Sequence, residues 1–169
     1  MEQKKKKEVN LFALILKNES SGLNIEGNND ISGILKGNFS ESIKSNKDEP
    51  ELLLYIKFIG QVSLTKILIE SKASNDNNKP EILKIFVNSS NMDFSDAASN
   101  SATETIKLEG KFGSKISINV PKFRKTFELV MYFTREDAEY IQLDSIQFYG
   151  SPGEGLMNIE ELKKKKNNQ

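Results

Sequence analysis

The feature that most restricts this chain is alternation. In residues 115–120 (KISINV), Ile116, Ile118 and Val120 fall on one side, and Lys115, Ser117 and Asn119 on the other. Strict alternation marks a strand with one face in a core and the other in water. Residues 126–133 (TFELVMYF) set Phe127, Leu129, Met131 and Phe133 on one face. Within 103–109, Ile106 and Leu108 oppose Thr105, Lys107 and Glu109. Segments 52–59, 62–70 and 82–87 are more evenly apolar, which suits strands covered on both faces. With 141–149 these make seven predicted strands, and residues 11–16 (LFALIL) are a candidate eighth. Polar punctuation at 60–61, 74–80, 110–113 and 135–139 separates them. Short strands divided by turn signals point to an all-β sandwich.

Two segments change phase. In 62–70, Val62 and Leu64 share one parity, Ile67 and Ile69 the other; in 141–149, Ile141 and Leu143 stand against Ile146 and Phe148. A one-residue slip turns every side chain to the other face, so each segment should hold a bulge or a bend that switches sheets. Residues 17–50, rich in Asn, Ser, Lys and Gly, should be mostly loop. Two short helical turns are expected. Asp93 can cap a turn over 94–98, with Asp96 at its third position. Asn158 can cap a short C-terminal helix, with Glu161 three residues on and Met157 and Leu162 as a hydrophobic staple. The lysines at 163–166 then suit the negative end of its dipole.

At 169 residues the chain fits one domain. The expected organisation is a basic segment over 1–8, a sandwich over 9–155, and a helix with a basic tail over 156–169. Cys and His are both absent. Their absence removes disulfides, thiolate metal sites, and Ser–His or Cys–His catalysis. No Ser–Lys pair stands out, and Glu160-Glu161 are adjacent, so they do not face each other across a helix. Residues 75–78 (NDNN) are oxygen-rich but lack the ligand spacing of a calcium loop. We therefore expect no enzyme, no metal and no cofactor. Trp is absent too, which leaves Tyr132 and Tyr149 as the outward aromatic candidates for a sugar platform.

The formal net charge is zero, yet unevenly spread. Residues 4–7 and 163–166 are all lysine, 8 of 24 basic residues, leaving 16 against 24 acidic ones and a body near −8. Basic runs outside the core pattern read first as solvated segments, so no specific nucleic-acid binding is expected. The apolar run 11–16 is shorter than a signal h-region, and no stretch is long enough to span a membrane. A cytoplasmic location is expected, with nuclear entry open, and the three N-x-[ST] matches at Asn18, Asn38 and Asn88 read as chance.

Several segments taken together carry a family resemblance. Lys84-Ile85-Phe86-Val87-Asn88 runs into Met92-Asp93-Phe94, and Phe148-Tyr149-Gly150-Ser151-Pro152 follows near the end. Asn18-Glu19-Ser20, Phe39-Ser40-Glu41-Ser42 and the Lys122-Phe123 pair keep the same order. The set resembles the PITH domain, the proteasome-interacting thioredoxin-like C-terminal domain, over residues 10 to 165. Residues 43–48 look like an insertion, and Asn78-Lys79-Pro80 replaces the family's Gly-Pro. Without C-x-x-C the chain resembles the stand-alone members that lack a thioredoxin domain, and no redox activity is implied. The resemblance implies a galactose-binding-like jelly roll and association with the proteasome regulatory particle.

The expected function is therefore a non-catalytic protein-interaction module, acting as a monomer. The second reading is a small-ligand or glycan-binding jelly-roll domain. Two surfaces are the expected contacts: Met92, Asp93 and Phe94 in one turn, and Met157, Glu160, Leu162, Lys163 and Lys164 in the C-terminal segment. Within the first, Phe94 is expected to plug the core rather than face solvent.

Overall fold

The computed structural model describes residues 7–28, 30–37 and 41–153. Their organisation follows from one strand, β4 (Glu51–Glu70), which is 20 residues long. Its first half pairs with β2 (Ser21–Leu23) on one side and β8 (Thr126–Thr134) on the other. Beyond β8 lie β5 (Ile82–Val87) and β6 (Glu104–Lys107). Its second half pairs with β10 (Ser145–Pro152) and β7 (Lys115–Ser117), and β1 (Val9–Asn10) lies outside β10. A separate antiparallel pair joins β3 (Ile43–Lys44) to β9 (Gln142–Leu143). All these pairings are antiparallel.

The two halves of β4 belong to the two layers of a sandwich. Leu52, Leu54 and Ile56 from the first half share one buried core with Val62, Leu64, Ile67 and Ile69 from the second. The change of layer occurs at residues 58–61. Lys57 pairs with Glu128, but the next β8 partner, Thr126, pairs with Val62. Sequence punctuation at Gly60-Gln61 suggested a break between two strands, whereas in the structure β4 runs on as one strand through the corner. Leu129, Met131 and Phe133 of β8 and Phe148 of β10 fill the space between layers. The rings of Phe58 and Phe148 meet edge-on at 5.7 Å.

Both phase changes have the expected physical cause. Tyr149 pairs with Lys66 and Gly150 with Leu64, which leaves Thr65 as the extra residue of a bulge. The Thr65 hydroxyl reaches the Glu8 carboxylate at 2.8 Å and the Tyr149 carbonyl at 3.2 Å. In the second segment, Asp144 separates β9 from β10, so the chain leaves one sheet and joins another. The Asp144 carboxylate accepts from the Lys72 backbone N–H at 2.7 Å and from Gln142 Nε2 at 3.0 Å, which holds this bend.

Three expectations need correction or qualification. Residues 11–16 are not a strand: Phe12–Leu14 form a 3-10 turn, begun by Asn10 Oδ1 accepting from Phe12 N–H. Buried Leu11, Leu14 and Ile15 follow helical spacing rather than alternation. Phe127 does not join the inward row of β8; it is exposed, while its neighbour Thr126 is buried. The register break at the corner displaces it. Residues 17–50 are mostly irregular as expected, yet Ile25, Ile31, Ile34, Leu35 and Ile43 belong to the main core. Helix α1 (Ser32–Leu35) supplies two of these. The expected C-terminal helix lies outside the described residues, as do residues 1–6.

Gly150 sits where the bulge brings β10 against β4. A Cβ there would strike the Ser63 carbonyl oxygen, which is backbone and cannot swing away. Gly150→Ala is therefore expected to lower stability by about 3 kcal/mol, in the range of core overpacking, read as a fall in Tm by calorimetry.

Candidate functional site

The segment after β5 crosses the outer face of the first layer and packs down on it. Asn88 takes a left-handed conformation (φ 54°) at the turn, and its side chain accepts from Phe127 N–H at 2.9 Å. Helix α2 (Phe94–Ser99) follows. Asp93 caps it: Oδ1 accepts from Asp96 N–H at 2.8 Å, and Asp96 Oδ2 accepts from Asp93 N–H at 3.1 Å. This reciprocal box satisfies two donors that a helix start leaves open. The other end is closed from the sheet. Lys84 Nζ donates to the carbonyls of Ala97 (2.7 Å), Ala98 (3.3 Å) and Asn100 (2.8 Å), where a cation also suits the helix dipole.

Apolar contacts complete the clasp. Leu53, Phe86, Ala97, Val130 and Tyr132 form a second buried cluster, with Met92 and Phe94 packed against it. The Phe94 ring meets Tyr132 edge-on at 6.1 Å. The Tyr55 hydroxyl donates to the Met92 carbonyl. The K-I-F and M-D-F segments are thus two parts of one device: Lys84 and Phe86 receive what Met92, Asp93 and Phe94 present. Of the first expected contact set, Met92 and Phe94 are half-buried, and only Asp93 stays exposed. Phe94 turns toward the sheet, but it packs half-buried against this outer cluster and does not plug the main core. The second set, Met157, Glu160, Leu162, Lys163 and Lys164, lies outside the described residues.

Burial shifts the tyrosines beneath the clasp. Tyr132 is 6% exposed and donates to Glu51 Oε2 at 2.8 Å. Burial first, then the Glu51 carboxylate, pushes its pKa far above the ordinary tyrosine value. Burial, then Asp93 and Asp96, also raises Tyr55. On the opposite layer, the Thr65 hydroxyl holds the Glu8 carboxyl below its usual range, and Lys66 and Lys115 add to this. Lys115 also lies over the Tyr149 ring, 4.1 Å from its centroid, while the Tyr149 hydroxyl donates to Gln147 Oε1 at 3.0 Å. Of the two aromatics proposed for a sugar platform, Tyr132 lies buried under α2, and one face of Tyr149 is covered by Lys115.

A cleft of about 580 Å³ opens where β5 begins and β6 ends. Asp76, Lys79, Ile82, Lys107, Phe112 and Arg135 line it. Two of its charged groups form an ion pair, and a third is held by a backbone carbonyl. Lys79 Nζ lies 3.4 Å from Asp76 Oδ1 and 5.5 Å from the Phe112 ring centroid, and Arg135 Nη1 donates to the Lys79 carbonyl at 3.1 Å. The NDNN loop forms a capped 3-10 turn (Asp76–Asn78), with Asn75 Oδ1 accepting from Asn77 N–H at 3.0 Å and Asn78 Nδ2 donating to the Tyr140 carbonyl at 3.0 Å. Among the described residues, no group of three or more acidic side chains is placed to hold a metal ion. Sequence reasoning missed this cleft, because its walls come from three loops far apart in the chain.

Solved structures with this architecture define the class. A family 32 carbohydrate-binding module from a Clostridium perfringens glycoside hydrolase superposes with a TM-score of 0.58 at 14% identity, over 82% of this chain and 96% of its own. A fucose-binding module from Streptococcus pneumoniae gives 0.54 at 14%, over 83% and 98%. An F5/8 type C domain from Bacteroides fragilis gives 0.53 at 11%, over 88% and 99%. The fold is the galactose-binding-like jelly roll, and at such identities the likeness concerns the fold alone. Residues 1–167 match the family model described as the PITH domain, and the chain belongs to that family. A Drosophila melanogaster relative, "PITH domain-containing protein CG6153", is 31% identical over 116 residues, 68% of this chain. The match spans about half (53%) of that relative.

Two outcomes test the clasp. Asp93→Ala is expected to cost about 1 kcal/mol and to speed amide exchange in residues 94–99 more than in β4. The raised tyrosines also fix a pH dependence. A raised folded pKa stabilises fully below the unfolded value of 10.0 and is lost as pH climbs beyond it. Urea unfolding should therefore show stability declining above about pH 10, and Tyr132→Phe should make that decline shallower.

Proposed function

We propose that this chain is a non-catalytic protein-interaction domain that associates with the regulatory particle of the 26S proteasome. The observation that carries the reading is how the family's motifs are used. Lys84, Phe86, Met92 and Phe94 are engaged in holding α2 to the sheet, and Phe148 and Gly150 in closing β10 against β4. The residues that mark the family thus support a rigid scaffold, and recognition falls to the surface around them. Membership of the PITH family supports the choice of partner. A cytoplasmic site of action, with nuclear entry open, belongs to the same proposal.

The sugar-binding alternative draws support from fold likeness alone. Its two candidate aromatics are engaged within the protein.

The direct test is co-sedimentation of the full chain with purified 26S proteasome as salt is raised. Retention at about 0.15 M ionic strength is expected, where attraction between exposed charges is already screened beyond about 8 Å. Binding that disappears as salt approaches this value would reduce the interaction to the lysine runs and overturn the proposal. Removing residues 156–169 should weaken retention while far-UV circular dichroism and Tm stay unchanged. A truncated chain that binds as before would exclude the C-terminal segment as a contact.

A further inference from the structure

The β4 corner gathers features that the core and the α2 clasp do not use. Among the described residues, three large apolar side chains are exposed: Leu23, Ile59 and Phe127. Two of them share one register break. Ile59 (38% exposed) lies in the 58–61 span of β4, and Phe127 (40% exposed) lies between the β8 residues that pair on either side of that span. The backbone of Phe127 is fixed by Asn88, which accepts from the amides of both Phe127 and Glu128, so its exposure is built into the turn.

Charge converges on the same end. Arg124 and Lys125 are exposed and directly precede the Thr126–Val62 pair. The first and last described strands also end near this corner. Val9 pairs with Gly150, Pro152 pairs with Val62, and Gly153 N–H donates to the Gln61 carbonyl at 2.8 Å. Of the nearby acids, Glu19 is held by Lys57 at 3.3 Å, and Glu128 is half-buried. The opposite end carries both signs on its loops: Asp48, Glu81, Glu109 and Glu139 stand beside Lys47, Lys79, Lys107 and Arg135. The corner thus combines exposed apolar side chains with exposed cations, whereas the cleft mixes both signs of charge.

We infer that the β4 corner is the docking surface, and that its occupant is an acidic protein segment bearing apolar side chains. Charge complementarity selects the acidic partner: exposed Arg124 and Lys125 draw an anionic segment to this end and orient the encounter. The apolar pair selects a protein segment over a plain polyanion, because exposed aromatic and aliphatic side chains ringed by charge gain most from covering apolar groups. The inference rests on the domain working by protein binding, and it names the surface and the chemistry involved.

The test is an NMR titration of the isotope-labelled full chain with three probes: a peptide of alternating Glu and Leu, poly-glutamate, and a short DNA duplex. The Glu–Leu peptide is expected to shift the amides of Ile59, Gly60, Lys125 and Phe127, and to bind at least about tenfold more tightly than either other probe. The double variant Ile59→Ser/Phe127→Ser should bind it about tenfold more weakly at unchanged Tm. Arg124→Glu/Lys125→Glu should slow association and flatten its salt dependence. Shifts centred on the cleft, equal binding of poly-glutamate or DNA, or undiminished binding by both variants would overturn the inference. Proteasome co-sedimentation separates the two proposals. Retention of wild type and both variants alike sinks the corner and leaves the proteasome reading standing. No retention of wild type, with corner shifts from the peptide, sinks the proteasome reading and leaves the corner standing.

Discussion

The structure depends on a single strand that belongs to both layers. β4 contributes to the core from each half, and its corner at residues 58–61 fixes how the layers face each other. Ordinary sandwiches rely on side-chain packing and loops to hold two sheets in register. Here the backbone of β4 itself runs from one sheet to the other. Its cost is local: a register break at the corner, a bulge at Thr65, and a glycine at 150 with no room for a side chain.

Those local irregularities carry the surface features. The corner break turns Phe127 outward, although alternation would place it in the core. The bulge brings the Thr65 hydroxyl to Glu8, beside Lys66 and Lys115. The first layer has a different arrangement. Its outer face is apolar and would be exposed without α2, which the Asp93 box and Lys84 hold in place. One outer face is thus closed by the chain's own helix, and two of the three exposed large apolar side chains among the described residues lie at the corner.

Much of this was legible in the sequence, and for a physical reason. Burial on one face imposes period two, so 115–120 and most of 126–133 announced themselves. Parity slips at 62–70 and 141–149 encode the bulge and the sheet switch. Asp93, with Asp96 at the third helical position, announced the cap, though not its reciprocal half. Legibility failed where the determining contacts are long-range. Gly60-Gln61 looks like a turn, and only the partners β8 and β10 show that the strand runs on. Residues 11–16 are apolar enough for a strand, but they close an end of the core as a turn under Asn10 control. The reach of Lys84 to the end of α2 spans 13 to 16 residues through space that sequence spacing does not encode. The outward position of Phe127 follows from the corner, so it could not be read without it.

A strand with so many distant partners also governs how the chain can acquire its fold. β4 occupies residues 51–70, while its partners lie at 21–23, 115–117, 126–134 and 145–152. During synthesis its second half must wait for β10, some 80 residues later, before that ladder can close. Until then a long apolar segment is present without its neighbours. Folding of this kind is dominated by loop closure between remote segments and is slow for that reason. The nascent chain therefore passes through a stage in which its central strand is the most adhesive part of the molecule, and general chaperones would find their natural target there.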